Sequence, residues 1–587
     1  MQESLARTIR EAIAELAGPG SDAAAAAAEV PVDFETPKDP SHGDLSTNVA
    51  MQLARPLRRR PREIAEAIVG ALERRRQTDA ELGRRLAGAE VAGPGFINLR
   101  FSAALLTDGV ADILAAGDRY GRTGAGTGRR AIVEYVSANP TGPLTVGHGR
   151  NAVLGDTLAN LLEWTGWEVT REYYFNNAGR QMRILGQSVR ARAAELLEPA
   201  GPVRSLDLGG GDTALVPASF PDDGYVGDYI VDIAKVLLEE RGAAVLEEAD
   251  DEVFTRAAEK AIFADIEATM RRLRIEMDSY FNEASLYENG AVWKLVDELK
   301  SRDLAFERDG ATWFKTSALG KTQTDREGER AVDTVLVKSS GEPTYRLPDI
   351  AYHVDKLERG FDLVLDVFGA DHVATYPDVV RGVEAVGADS SKIDVVIYQF
   401  VTLVRAGEPF KMSTRKARYV TLDELMDEVG ADVTRFFFLM RSPHTHLEFD
   451  LDLAREAGEK NPVFYLQYAH ARISSILRKA AETGLELEDE GTVVDLDVLE
   501  HPNEAALMKE LLRFPEVVAA AAETRGPHAV ATYLRDVASA FSAFYRDSRI
   551  LGEPAPLARA RLHLAEAARI VLANGLAVLG IGAPDSM

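Results

Sequence analysis

Cysteine is absent from this 587-residue chain. That excludes disulfides, a thiol nucleophile and every zinc site built on cysteine. Also missing is any uninterrupted apolar run of about 18 residues, so the sequence offers no candidate membrane span. The most apolar C-terminal segment, Ile570 to Ile581, is short and broken by Asn574 and glycines, and reads as a packed helix. The first residues, MQESLARTIREAIAEL, make an amphipathic helical pattern with acids in it, not a secretory signal. These absences predict a cytoplasmic protein with no membrane partner. Positive charge is scarce too: 67 Lys and Arg stand against 93 Asp and Glu, for a net charge of −26. Read globally, that balance argues against nucleic acid. Phosphate binding follows local fields, however, and the cations are unevenly placed. Arg55, Arg58, Arg59, Arg60, Arg62, Arg74, Arg75, Arg76, Arg84 and Arg85 crowd the first hundred residues. The acidic run 247–252 would repel RNA elsewhere, so total charge decides nothing about RNA.

What is present is ordinary for a globular protein: 46% hydrophobic and 27% charged residues. The length predicts three or four domains. Leu5, Ile9, Ile13 and Leu16 share one face of a first helix that ends at Gly18-Pro19-Gly20. GPGFINLRFS at 93–102 alternates like a strand and closes a first domain near residue 108. Buried-strand patterns recur at 131–136, in WEVTREYYF after residue 166, in LVLDVFGADH at 363–372 and in IDVVIYQFV at 393–401. Helical patterns lie between them, which predicts a doubly wound parallel sheet. Residues 199–224 are rich in Gly, Pro, Asp and Ser and read as a long loop inside an insertion. Beyond about residue 455 strand signals stop and helical periods, such as Phe541, Phe544, Tyr545 and Leu551, run to the end.

The most informative stretch is VEYVSANPTGPLTVGHGRN at 133–151: a buried strand, a polar Gly/Pro loop, then a helix through Leu154, Leu158, Leu161 and Leu162 to Gly166. A helix start gathers unpaired N–H groups and the positive dipole end, which suits phosphate. His148 adds a side-chain donor, and Gly147 and Gly149 permit close approach of a ring or phosphate. A second stretch, FKMSTRKARYV at 410–420, places mobile cations on a loop after the 393–401 strand, where they can stabilise charge on a departing group. PHTHLEFD at 443–450 superficially suggests a metal cluster of His444, His446 and Glu448 on one side of a strand. Three solvent-facing polar residues explain it as well, and no metal site is assigned.

The first stretch resembles the nucleotide-binding signature of class I aminoacyl-tRNA synthetases, and the second resembles their Lys-Met-Ser-Lys-Ser loop. The words SANPTGPL and GHGRNAVLGD are similar to the arginyl-tRNA synthetase family in particular. The two motifs, in order and about 260 residues apart, carry more weight together than either alone. The resemblance implies ATP contacts at Thr145, Gly147, His148, Gly149, Lys411, Met412 and Ser413. It departs from the family twice: the first signature histidine is Thr145, and the second lysine of the loop is Thr414. Lys411, Arg415 and Lys416 would then supply the catalytic cations beside His148. PTYRLPDIAYHVDKLERG at 343–360 matches a family segment in which Tyr345 and Asp349 meet a guanidinium; residues four apart on a helix share a face. Glu134, Asn139 and His372 match positions that hold the amino acid's α-amino and carboxylate ends. YVGDYIVDIAK at 225–235 and MDSYFNEASLY at 277–287 would line the site or face RNA.

The resemblance spans nearly the whole chain. It implies an N-terminal α+β domain at 1–108 that recognises the elbow of tRNA, with Phe96 and Asn98 as base contacts. A class I Rossmann-like catalytic domain follows at 109–395 with an insertion at about 188–275, then a loop and connecting region at 396–455. An all-helical anticodon-binding domain fills 456–587. The implied reaction activates L-arginine with Mg²⁺-ATP and passes it to the terminal ribose of tRNA(Arg), with a monomeric enzyme and tRNA needed even for activation. Two other readings stay open at this point: a related ligase joining an amino acid to a small amine, and an idle paralogue that only binds tRNA.

Overall fold

The computed structural model describes residues 2–18, 22–37, 39–177, 179–209, 212–248, 250–325, 328–410, 420–485, 487 and 494–587. Its N-terminal part is α+β. The strand Phe96–Phe101 lies between Leu45–Thr47 and Leu86–Ala92, antiparallel to both. Helices Gln2–Ala17 and Pro61–Thr78 cover this sheet through Leu5, Ile9, Ile13, Ile64, Ile68 and Leu72, which meet Ile97 and Leu99. The helix Ala103–Ala116 runs straight through residue 108. It packs on the C-terminal helices so closely that Gly109 faces Leu512 with no room for a Cβ.

Five parallel strands form the central sheet, in the order Ile393–Tyr398, Leu363–Gly369, Arg130–Glu134, Glu168–Phe175, Ser279–Asn282. The chain runs outward from Arg130–Glu134 in one direction, then returns to build Leu363–Gly369 on its other side. The order therefore reverses between these two neighbours, where a doubly wound sheet leaves a crevice beyond the strand ends. The helix Val146–Trp164 follows the first strand, and Leu154, Leu158, Leu161 and Leu162 are buried, as their spacing predicts. The helix Arg346–Glu358 precedes Leu363–Gly369.

Between Glu168–Phe175 and Ser279–Asn282 the chain makes an excursion of three packed helices, Arg180–Leu197, Asp228–Arg241 and Glu252–Arg272. Residues 199–224 correct the sequence reading: they hold an antiparallel hairpin, Val203–Gly209 with Asp212–Pro217, rather than a long loop. Leu206, Val216 and Phe220 give it a small core of its own with Ala191. In the sequence, the glycines from Gly209 on and the polar Ser205 and Asp207 mask the alternation. A further antiparallel sheet, Ala305–Arg308, Ala311–Phe314 and Thr334–Val337, precedes the helix Arg346–Glu358. The C-terminal region is helical from Pro462 to Val578, in Pro462–Glu482, Pro502–Leu512, Phe514–Glu523, His528–Asp547 and Ala555–Val578. Among the described residues no helix is long and apolar enough to cross a membrane.

Candidate active site at the sheet switch point

The strand Arg130–Glu134 ends in a reversal that the local sequence makes costly. Val136 and Ser137 both take positive φ, 66° and 39°. A β-branched residue there is strained by about 1–3 kcal/mol and needs outside support. Asn151, one turn into the following helix, supplies it. Its Oδ1 accepts the Val136 N–H at 2.6 Å and its Nδ2 donates to Val367 O at 2.8 Å, tying both strands across the switch point. Ser137 Oγ donates to Glu134 Oε1 at 2.9 Å and accepts the Tyr174 N–H at 3.1 Å.

The chain then leaves the sheet through 138–144 and starts the helix at Thr145. The Thr145 N–H donates to His148 Nδ1 at 3.2 Å. A ring nitrogen that accepts carries no proton, so the His148 donor is Nε2–H. Burial lowers the His148 pKa, which keeps the imidazole neutral. Gly147 has open space where a Cβ would stand, with only Thr145 Oγ1 nearby at 3.7 Å. Gly149 is different: a Cβ there would lie 2.6 Å from Leu422 Cδ1 and 3.0 Å from Phe438, and its N–H bonds to Thr145 O. Gly149 is thus a packing glycine on the buried side of the helix, and it does not line the cavity. The fully buried Arg150 holds the same helix to Ser442 O, Thr445 O and Gln399 O. Burial pulls its pKa down to about 10.

Lys411, Met412, Ser413, Thr414, Arg415 and Lys416 lie outside the described residues. Their flanks are fixed. Phe410 N–H donates to Leu403 O at 2.7 Å. On the far side Thr421 bridges Thr145, and Leu422 N–H donates to Leu144 O at 2.8 Å. The second motif thus re-enters the described structure against the first.

A cavity of about 640 Å³ opens at the switch point. Its walls include Glu134, Asn139, Thr145, Gly147, His148, Tyr345, Asp349 and His372, so residues from three separate sequence segments converge. His372 stacks on Phe368, ring centroids 4.9 Å apart. Glu134 reaches the cavity with both oxygens already engaged, by Ser137 and by Lys356 Nζ at 2.6 Å. Asp349 has no side-chain hydrogen bond to any described residue. Burial, with Glu134 and Glu283 nearby against the opposing pull of His353 and Lys356, raises its pKa to about 7.

Several groups here carried no sequence signal. Glu283 sits in the wall and takes a hydrogen bond from Tyr174 Oη at 2.7 Å. Burial raises its pKa. Lys356, fully buried, also donates to Asp366 Oδ1 at 2.6 Å, and His353 Nε2 lies 2.8 Å from Asp366 Oδ2. Glu283 falls in the 277–287 stretch, and His353 and Lys356 in the 343–360 segment, but nothing in the sequence singles them out, and the partners of Lys356 other than Asp366 are far away in sequence. Fully ionised, the cluster sets four carboxylates (Glu134, Glu283, Asp349, Asp366) against two cations, Lys356 and His353. This cluster, of which Asp366 and Lys356 lie outside the cavity lining, is two positive charges short, and a buried charge needs a partner; Asp371 also lines the cavity, 3.7 Å from His372. The arrangement suits a small molecule with two cationic groups, held beside a helix start that suits phosphate.

Three other expectations meet the structure elsewhere. Asn98 is buried, and its Oδ1 accepts from Ser46 Oγ at 2.9 Å, because it lies on the central strand opposite Ser46 and Glu90. Its amide oxygen is therefore not free for an outside base, whereas Phe96 is exposed. His444 and His446 precede the strand Leu447–Asp450 instead of alternating along it. His444 Nδ1 pairs with Ile397 O at 3.1 Å and His446 Nε2 with Thr402 Oγ1 at 3.0 Å. In the C-terminal helices, a second cavity of about 570 Å³ gathers Arg472, Arg478, Lys479 and Arg549 around Tyr468 and Tyr545.

Known proteins resemble this chain along its length. Residues 3–101 match the arginyl tRNA synthetase N terminal domain, 109–437 the catalytic domain of class I (R) tRNA synthetases, and 466–587 the DALR anticodon binding domain. An arginine--tRNA ligase from Salinibacter ruber is 58% identical over 95% of this chain and 97% of its own. One from Desulfotalea psychrophila is 47% identical over 94% of each. An arginyl-tRNA synthetase structure from Campylobacter jejuni, titled as putative, has a TM-score of 0.72 at 29% identity, covering 83% of this chain and all of its own. The Thermus thermophilus arginyl-tRNA synthetase shares the fold over both whole chains, with a TM-score of 0.73 at 23% identity. The chain belongs to the class I arginyl-tRNA synthetase family.

Proposed function

We infer that the chain is an arginine–tRNA ligase. It activates L-arginine with ATP to arginyl-adenylate and transfers the arginyl group to the 3′-terminal ribose of tRNA(Arg). The observation that carries this reading is the carboxylate cluster at the cavity, two positive charges short, with an Asp349 side chain that makes no hydrogen bond among the described residues, next to the His148 helix start. Arginine brings those two cations, a guanidinium and an α-ammonium, at opposite ends of one chain. Asp349 and Tyr345 take the guanidinium end; Glu134, Asn139 and His372 take the other. The phosphates lie at the start of the Val146–Trp164 helix, under Gly147 and His148 Nε2–H. Positioning and charge stabilisation carry the rate, with no covalent enzyme intermediate. Class I chemistry places the transfer on the 2′-hydroxyl. ATP–pyrophosphate exchange with arginine, with and without tRNA, tests the reading; a protein that binds tRNA yet exchanges nothing in either case would be the idle paralogue.

Mg²⁺ enters with ATP in this reading. An ion of this kind is held mainly by phosphate oxygens, so it is bound together with the nucleotide. Lys411, Arg415 and Lys416 meet the departing pyrophosphate, so alanine at Lys416 or Arg415 is expected to slow exchange more than alanine at Thr414. The part at 1–108 binds the tRNA elbow, with the exposed Phe96 as a base contact, and the helical part at 456–587 binds the anticodon. There the cationic, tyrosine-lined cavity suits unstacked bases, each worth about 1–3 kcal/mol when stacked. Tyr468→Ala is accordingly expected to weaken tRNA binding by about 5- to 150-fold in a filter-binding titration and to leave arginine KM unchanged. The enzyme works as a monomer in the cytoplasm.

The raised Asp349 pKa gives a pH signature. A guanidinium needs the ionised carboxylate, so binding arginine expels the proton that the empty site holds below about pH 7. Arginine affinity should fall about tenfold per pH unit below 7 and level off above it. The same shift has the opposite sign for the empty protein. A carboxylate with a raised folded pKa costs stability as pH climbs from its ordinary range through 7. Calorimetric titration of arginine from pH 5.5 to 8.5 reads the first effect. A flat profile would remove Asp349 from the guanidinium.

A further inference from the structure

The amino-acid pocket joins two bodies. Glu134 and Asn139 belong to a sheet strand and the turn just past it, whereas Tyr345 and Asp349 sit on the first turn of the helix Arg346–Glu358 and its cap. A ligand clasped at both ends reads the distance between those bodies. Three side chains on later turns of the helix hold it to the sheet. Tyr352 Oη donates to Glu172 Oε1 at 2.6 Å, on the strand Glu168–Phe175. Lys356 Nζ bonds Glu134 and Asp366, on two neighbouring strands. His353 joins Asp366 and also touches Asp349 itself: Nδ1 donates to Asp349 O at 2.7 Å while Nε2 points to Asp366.

The chemistry of His353 is settled by its partners. A carbonyl only accepts, so Nδ1 carries a proton. Asp366, whose pKa stays well below the ordinary range against burial because Lys356 and His353 attract it, is ionised and also accepts. His353 therefore donates from both nitrogens. Burial, the largest single influence, and Lys356 oppose its charge, but the charge and hydrogen bond of Asp366 together with Glu134 raise the imidazole pKa. A doubly donating, buried imidazolium is a rigid strut between the sheet and the turn that carries Asp349.

We propose that His353, anchored by Asp366, is a positioning residue that sets the distance from the Asp349 carboxylate to the sheet-borne α-amino end and so selects the chain length of arginine. The proposal rests on Asp349 facing the guanidinium. Without the strut, the first turn of the helix is free to shift relative to Glu134, and homologues longer or shorter by a methylene fit almost as well.

The test is ATP–pyrophosphate exchange on the full-length protein with tRNA, using arginine, homoarginine and 2-amino-4-guanidinobutyrate. Wild type is expected to prefer arginine by about 10–200-fold, the range one methylene commands. His353→Gln is expected to raise arginine KM about tenfold, to shift kcat and ATP KM by less than about threefold, and to cut the preference for arginine about tenfold. His353→Asn keeps a donor near the Nδ1 position and is expected to fall between wild type and His353→Gln; it also carries the measurement if the glutamine variant does not fold. A purely structural role would lower the active fraction and Tm while leaving KM and both preferences as in wild type, and that result overturns the proposal. Asp349→Asn run alongside separates the two readings: unchanged arginine selectivity there would refute the guanidinium placement itself, whatever His353 does.

Discussion

Asp349→Asn is expected to lower kcat/KM for arginine by about two to four decades. The variant keeps the shape of the side chain, but it removes the charge and turns one acceptor into a donor facing the donors of a guanidinium. Loss of one partner in a buried charged pair costs about 3–5 kcal/mol. The structure sharpens the expectation, because the Asp349 carboxylate has no hydrogen bond to any described residue, and the nearby cations His353 and Lys356 are themselves engaged by Asp366. ATP affinity should hardly change, since the proposed function puts the nucleotide against Gly147 and His148, on the other helix. Citrulline, nearly isosteric and neutral, should be rejected by wild type and much less discriminated by the variant. Exchange rates for both amino acids on both proteins decide the matter. A variant that still prefers arginine by the wild-type margin would sink the placement of Asp349 and the map of the pocket built on it.

His148→Ala is expected to slow adenylate formation about 10²–10³-fold and to leave arginine affinity near wild type. The Nε2–H donor is set in place before the reaction, because Nδ1 is held by the Thr145 N–H at 3.2 Å and the ring stays neutral. Loss of one preorganised donor to developing charge costs about 2.7–4 kcal/mol in barrier. The same bond caps the helix, so a smaller fall in stability, about 0.5–2 kcal/mol, should accompany the kinetic loss. Single-turnover formation of arginyl-adenylate with tRNA present separates the two. An unchanged chemical rate in a less stable protein would make His148 a cap and nothing more.

The sequence reading went furthest where the chemistry is local. The helix start at 145–148, the segment 343–360 and the buried strand ends each declare themselves within a dozen residues, because phosphate binding, helical spacing and strand burial are short-range patterns. It went wrong where packing decides. Gly149 looks like a ligand-facing glycine, yet its missing Cβ makes room for Leu422 and Phe438. Asn98 shares a strand face with Phe96, yet it is buried between two neighbouring strands and Ser46 takes its amide oxygen. The polar hairpin at 203–217 hides its alternation behind the glycines from Gly209 on.

The sequence alone determined the parallel sheet, the helical C-terminal region and the family, and it pointed to several of the groups that line the cavity, since periodicity and motif spacing survive without coordinates. Tertiary structure decided which of those groups remain available. Each oxygen of Glu134 already accepts one hydrogen bond, from a lysine 222 positions away and from Ser137, and keeps only its remaining lone pairs for a ligand, whereas Asp349, seven residues before that lysine, has no side-chain partner among the described residues. Whether a carboxylate is satisfied depends on what other strands and helices bring within hydrogen-bond reach. In a low-dielectric interior that availability sets both its pKa and the charge of the ligand it will accept.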